Sequence, residues 1–137
     1  MASTKGAEII PEIAATNKLD ILAKKGMDTR VEMYSVFSDA FQNMDPSLHH
    51  KSVDVDVTAT LRGKNVTDVF VVGLAGDYCV KYTAIDAAKA GFRSYVVEDA
   101  VRSVDPKEGW EQALREFGEV GVKVVRSDGP EVGRVRA

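Results

Sequence analysis

Two short runs restrict the fold of this chain more than any other feature. "VFVVGL", Val69 to Leu74, and "VKVVR", Val122 to Arg126, are nearly unbroken in β-branched and other apolar residues. A strand with one wet face alternates apolar and polar residues, so runs like these predict strands covered on both faces, as in parallel sheets. "RSYVVED", Arg93 to Asp99, and "LDILA", Leu19 to Ala23, read as two further strands. Parallel strands need crossovers, and helix-like segments lie where those crossovers belong.

After Cys79, the residues Val80, Ala84, Ala87, Ala88 and Gly91 fall on one helical face, small enough for close approach to a sheet. A second helix is predicted with Asp105 as cap, Pro106 at its first position and Glu108 completing a capping-box pattern. Its buried stripe is Trp110, Ala113, Leu114, Phe117 and Val120, and Gly121 is its stop. In "KSVDVDVTATLRGKN", Val53, Val55 and Val57 alternate like a strand, whereas Val53, Val57 and Leu61 fit a helix. The helix is preferred, because a parallel strand at Val69 needs a crossover before it. The pattern predicts an α/β protein, a three-layer, doubly wound, mostly parallel sheet in a single domain over residues 1–137. Doubly wound sheets usually open on a strand. Here "KGAEIIPEI" follows almost at once and reads as a loop from within a domain, so the expectation is a chain lacking the N-terminal strand or strands.

Apolar residues make up 45% of the chain and charged residues 28%, the balance of a globular protein, and 137 residues suffice to bury a core. The formal charge of −3 and the lack of a basic cluster argue against a nucleic-acid partner. No apolar run reaches the ~18–20 residues of a membrane span, and "MASTKGAEII" lacks a signal peptide's apolar segment. A single cysteine fits a reducing compartment, so a cytoplasmic location is expected.

That cysteine, Cys79, falls in the turn between "VFVVGL" and its helix. Ligands of open α/β sheets bind beyond the carboxyl ends of the strands, which is where this turn belongs. A thiol at a helix N-terminus faces unpaired N–H groups and the positive end of the dipole, both of which favour thiolate. The same turn can offer N–H groups to a developing oxyanion, with Gly76 allowing the bend. The competing reading is a packing residue, since unpaired cysteines are often buried. Lys25 ends "LDILAKK" ahead of a glycine, so it is placed either at a strand's carboxyl end, where it could support negative charge, or in a solvated loop. Lys24 is expected to point the other way. His49 and His50 are adjacent and are the only histidines, so they do not read as a zinc site. Asp54 and Asp56 lack the glycine and glutamate of a calcium loop. No metal is predicted.

The octet "GLAGDYCV" with its flanks resembles the nicotinamidase branch of the isochorismatase-like cysteine hydrolases. The likeness extends to "AKKGMDTRVEMYSVFSDAF", similar to the family's lysine segment with Lys25, Gly26, Tyr34, Ser35 and Phe37 at its motif positions. "YVVEDAVRSVDP" and "TKGAEIIPEI" resemble the segments after the nucleophile helix and before the lysine strand. The resemblance implies a small carboxamide substrate, attacked by Cys79 to give a thioester and ammonia, with water releasing nicotinic acid in NAD salvage. It implies an oxyanion hole from the N–H groups of Ala75 and Cys79, a cis peptide bond between Leu74 and Ala75, and charge support by Lys25.

The sequence also departs from the pattern. The family's catalytic aspartate lies on its first strand, and its metal ligands, an aspartate and two histidines, precede the lysine segment; none is found here. No cofactor is therefore expected, and Asp28, Asp77 and Asp99 are the aspartates considered for the missing acid–base role. Two other outcomes stay open. One is a truncated, inactive or partner-dependent product, as a homo-oligomer or with a complementing chain; the other is a related carbamoyl or ureido amidohydrolase.

Overall fold

In the computed structural model, residues 4–16, 18–44 and 52–136 are described. Three parallel strands form one sheet in the order β1 (Asp68–Leu74), β2 (Arg93–Arg102), β3 (Lys123–Val125). The helices, in chain order, are α1 (Pro11–Ala14), α2 (Val57–Gly63), α3 (Cys79–Lys89), α4 (Glu108–Val120) and α5 (Pro130–Arg136). The apolar runs are strands and helices connect them, as expected for an α/β fold.

The central strand carries the core. Val96 of β2 is fully buried and packs with Val71 of β1, Val80 and Ala84 of α3, and Ala113 and Phe117 of α4. Ala84 and Ala87 expose no surface at all, and with Val80 and Ile85 they seat α3 closely against its neighbours. α2 adds a second cluster, in which Val57 and Leu61 pack with Phe37, Ala87 and Phe92. The opposite face of the sheet is more thinly covered. Phe70 stacks on Tyr95 at 4.6 Å, and Val97, Val125 and Val132 of α5 complete that cluster. Val72 and Leu74, further along β1, stay exposed at 55% and 74%.

The β1–β2 ladder changes register near its end. Val71 lies opposite Val96, yet Gly73 lies opposite Val101, so β2 runs on to Arg102 rather than stopping at Asp99. α4 starts at Glu108, two residues later than predicted. The Asp105 carboxylate instead accepts from the Lys107 N–H at 2.9 Å, and this local turn consumes Pro106 and Lys107 before the helix begins. No capping-box bond forms at the helix start. Leu114 lies at the edge of the buried stripe and is partly exposed, while Gly121 ends α4 in the left-handed region at φ 77°.

The predicted strand at Leu19 to Ala23 does not form. A strand needs a neighbour along its length, and among the described residues the pairing here is one antiparallel bridge between Lys25 and Val53. The "KSVDVDV" ambiguity resolves both ways: Val53 is buried in that bridge, and Val57 starts α2, capped by Asp56 accepting from the Ala59 N–H at 3.0 Å. His49 and His50 lie outside the described residues.

Phe117 is 1% exposed and central to the core. Phe117→Ala is expected to cost about 3–5 kcal/mol of stability, read as a lowered urea midpoint with an unchanged slope.

Candidate active site

The chain leaves β1 at Leu74 through a cis peptide bond to Ala75 and turns at once into α3. The Ala75 carbonyl accepts from the N–H groups of Tyr78 at 3.1 Å and Val80 at 3.0 Å, winding the turn tightly. Gly76 donates to the Arg102 carbonyl at 2.9 Å, tying the turn to the end of β2. A Cβ at Gly76 would come within 2.6 Å of Ser103 Oγ and 3.0 Å of the Trp110 ring, so only glycine allows this approach. Among the described residues, the N–H groups of Ala75 and Cys79 have no backbone acceptor. Cys79 is the first residue of α3 and is half-buried.

Asp77 braces the turn from below. Its carboxylate is 5% exposed and accepts from the N–H groups of Val104 at 2.9 Å and Asp105 at 2.8 Å. Burial alone works against its ionisation. The bonds from Asp105, Val104 and its own N–H, with the Lys81 charge, outweigh burial and hold the carboxyl below the usual aspartate range. Gly109 makes room for it, since a Cβ there would lie 2.7 Å from Asp77 Oδ2.

Lys25 comes from a part of the chain with little regular structure, held by contacts with residues 52–54. Met27 donates to the Ser52 carbonyl and Asp54 to the Lys24 carbonyl, each at 3.1 Å, around the Lys25–Val53 bridge. Lys24 is exposed, and its N–H donates to Asp54 Oδ1 at 2.6 Å. Lys25 Nζ donates to the Met33 carbonyl at 3.0 Å and lies 3.4 Å from Cys79 Sγ, so two residues 54 positions apart in sequence meet at one point. An ammonium at that distance stabilises negative charge on the sulfur or on an atom bonded to it.

Three tyrosines stand beside this pair. Tyr34, next to Met33, has its ring 5.5 Å from Tyr78 and 5.7 Å from Tyr82, stacked on the latter. Lys81 Nζ sits 4.6 Å from the Tyr82 ring centroid and pairs with Glu116 at 3.1 Å. Tyr34 and Tyr78 fall within the sequence motifs described above, whereas Tyr82 lies beyond the octet. The available signal was the spacing of Tyr78 and Tyr82, i and i+4 on α3. The Met33 carbonyl, a backbone group, gave no signal at all.

The three aspartates considered for acid–base work are engaged elsewhere. Asp28 binds the Arg30 guanidinium through both oxygens, and Asp99 accepts from the Ser127 N–H and hydroxyl. Asp77 braces the turn as described. Among the described residues, no three His, Cys, Asp or Glu side chains come together where they could hold a metal ion. No described helix is long and apolar enough to cross a membrane.

A parallel α/β sheet with a cysteine at the N-terminus of the helix after β1, and a lysine on its sulfur, defines an α/β protein with a thiol-centred site. The isochorismatase domain model matches residues 2–129, and the chain belongs to that family. A nicotinamidase of Acinetobacter baylyi is 31% identical over 124 residues, covering 90% of this chain and 53% of that protein. A nicotinamidase of Schizosaccharomyces pombe is 31% identical over 134 residues, covering 98% and 55%. Among solved structures, the yeast nicotinamidase Pnc1p superposes with a TM-score of 0.75 at 31% identity, over 90% of this chain and 54% of that one. A nicotinamidase pyrazinamidase of Acinetobacter baumanii gives 0.73 at 31% identity, over 91% and 56%. The chain thus spans about half the length of the curated relatives it matches.

Because the folded Asp77 carboxyl binds its proton less tightly than an unfolded aspartate, its contribution to stability is complete above about pH 4 and declines as pH falls below that. In urea denaturation at fixed pH, the stability gap between the parent and Asp77→Asn is expected to be widest near neutrality and to narrow as pH falls below about 4.

Proposed function

We propose that this chain carries the nucleophile half of a nicotinamidase-like amidohydrolase, acting on a small aromatic carboxamide through a cysteine thioester. The observation that carries the reading is the 3.4 Å contact between Lys25 Nζ and Cys79 Sγ at the head of α3. The names of the relatives, nicotinamidases in bacteria and yeasts, supply the substrate class.

In this mechanism Cys79 Sγ attacks the carboxamide carbon, and the carbonyl π electrons move to oxygen. The N–H groups of Ala75 and Cys79 receive that oxyanion, and the Lys25 ammonium offsets charge around the sulfur. Collapse breaks the C–N bond and releases ammonia, leaving an acyl thioester. Water then adds to the thioester, and nicotinic acid departs as the thiol is restored. Ammonia needs a proton to leave. The proton that the Cys79 thiol gives up on attack balances it, carried across by water or by a group other than Asp28, Asp77 and Asp99, which are engaged elsewhere. The rings of Tyr34, Tyr78 and Tyr82, packed together next to Cys79, are the side chains that support binding of an aromatic carboxamide.

A second reading, dependence on a complementing chain or a second copy, is favoured by one observation. Among the described residues β1 has a neighbour on one side only, and Val72 and Leu74 lie exposed beside the Cys79 turn. An unpaired, apolar strand end next to a site is a place where another segment completes a sheet.

Ammonia release from nicotinamide by the purified chain tests the first reading. Turnover in the parent is expected to vanish in Cys79→Ala and to fall about 10²-fold or more in Lys25→Met, the scale on which removal of an oxyanion-stabilising group acts. A folded parent with no turnover would reject autonomous catalysis and leave the complemented site.

A further inference from the structure

Besides residues 52–54, the segment 33–38 holds Lys25 at Cys79. This segment runs along one face of α3 and touches it once per turn. At the head of the helix, the Met33 carbonyl holds Lys25 Nζ against Cys79 Sγ, and Tyr34 packs on Tyr78 and Tyr82. One turn on, the Val36 N–H donates to Thr83 Oγ1 at 3.3 Å. A further turn on, the Ser38 hydroxyl donates to Asp86 Oδ2 in a short hydrogen bond. Cys79, Thr83 and Asp86 are i, i+4 and i+7, so the contacts follow a single stripe about 10 Å long.

Two features make the far end of that stripe important. Ser38 and Asp86 are 5% and 6% exposed, and a hydrogen bond to a buried carboxylate is among the stronger polar contacts a protein makes. Between segment and helix, the chain leaves a cleft of about 280 Å³ lined by Tyr34, Ser35, Ser38, Tyr82 and Asp86. Phe37 and Val36 pack with Ala87 and Phe92 on one side of the segment, and on the cleft side its seating on α3 rests on these few polar and ring contacts.

We infer that Asp86 is a positioning residue for the Cys79–Lys25 pair: its bond to Ser38 sets the 33–38 segment on α3 and so aims the Met33 carbonyl that holds the ammonium. The inference rests on the charge role proposed for Lys25. It assigns Asp86 no contact with substrate and no part in proton transfer. Its effect passes through the segment alone.

Alkylation of Cys79 by iodoacetamide at pH 7 tests this without requiring amide turnover, and the chain has no other thiol to confuse the signal. Lys25→Met is expected to slow alkylation about tenfold, the effect of removing one nearby opposite charge. Asp86→Ala is expected to slow it severalfold in the parent and not at all in the Lys25→Met background. Asp86→Asn keeps an acceptor for Ser38 and is expected to restore most of the lost rate. Thermal melts establish folding, and Ser38→Ala puts the same question from the other partner where Asp86→Ala does not fold. Equal slowing by Asp86→Ala in both backgrounds, or an Asn variant as slow as Ala, would overturn the inference. An unchanged rate in Lys25→Met would overturn the charge role itself and the inference with it. Loss of amide turnover with these couplings intact would reject only autonomous catalysis.

Discussion

The close seating of α3 on β1 and β2 is the constraint from which the rest of the site follows. Ala84 and Ala87 expose nothing, and Val80 and Ile85 beside them are buried too, so short aliphatic side chains fill the space between the helix and its neighbours. The helix axis is therefore fixed by close packing of short side chains rather than by long, adjustable ones. With the axis fixed, the start of α3 must fall just beyond the carboxyl end of β1, and the first helical residue there is Cys79. Gly76, held on the Arg102 carbonyl, and Asp77, holding the N–H groups of Val104 and Asp105, join this turn to the β2–α4 connection. The thiol's placement is thus over-determined from three directions.

Lys25 is held in a different way. Among the described residues no ladder of strand hydrogen bonds supports it; it has one bridge to Val53 and a segment strapped along α3 by a hydroxyl, a ring stack, a carboxylate and the packing of Phe37 with Ala87. The site therefore joins a rigid element to a tethered one. A sulfur fixed by the core and a charge delivered by a strap can be disturbed independently. The geometry at their meeting point is only as good as the weaker of the two supports.

The uneven cover of the sheet has the same origin. One face receives α3 and α4, with Phe117 and Val96 at its centre. The other receives only Val132 of α5 at one end, which leaves Val72 and Leu74 in contact with water. β-Branched residues in strands are selected for burial on both faces. Val72 thus keeps the character of a covered position without its cover among the described residues.

How much of this could be read beforehand depended on the range of the interaction involved. The three parallel strands, α3 and α4 were legible because hydrophobic period and β-branched content are properties of ten to fifteen consecutive residues, and the sheet reads that local pattern directly. Cys79 as the head of a helix was legible for the same reason, as was the glycine stop at Gly121. The start of α4 was misread because Asp105 had two local uses, a helix cap or a tight turn, and the turn won. The strand at Leu19 to Ala23 was misread because a strand exists only in relation to a neighbour, which no local pattern specifies. Chain order and composition by themselves determined the α/β class, the β1–turn–α3 unit and the position of the thiol within it. Only the tertiary structure decided that Lys25 meets Cys79, that Asp77 accepts from the Val104 and Asp105 N–H groups, and that Ser38 clasps Asp86. Each of these joins residues 27 or more positions apart, and their meeting is set by how the packed elements close on one another rather than by anything in the residues between.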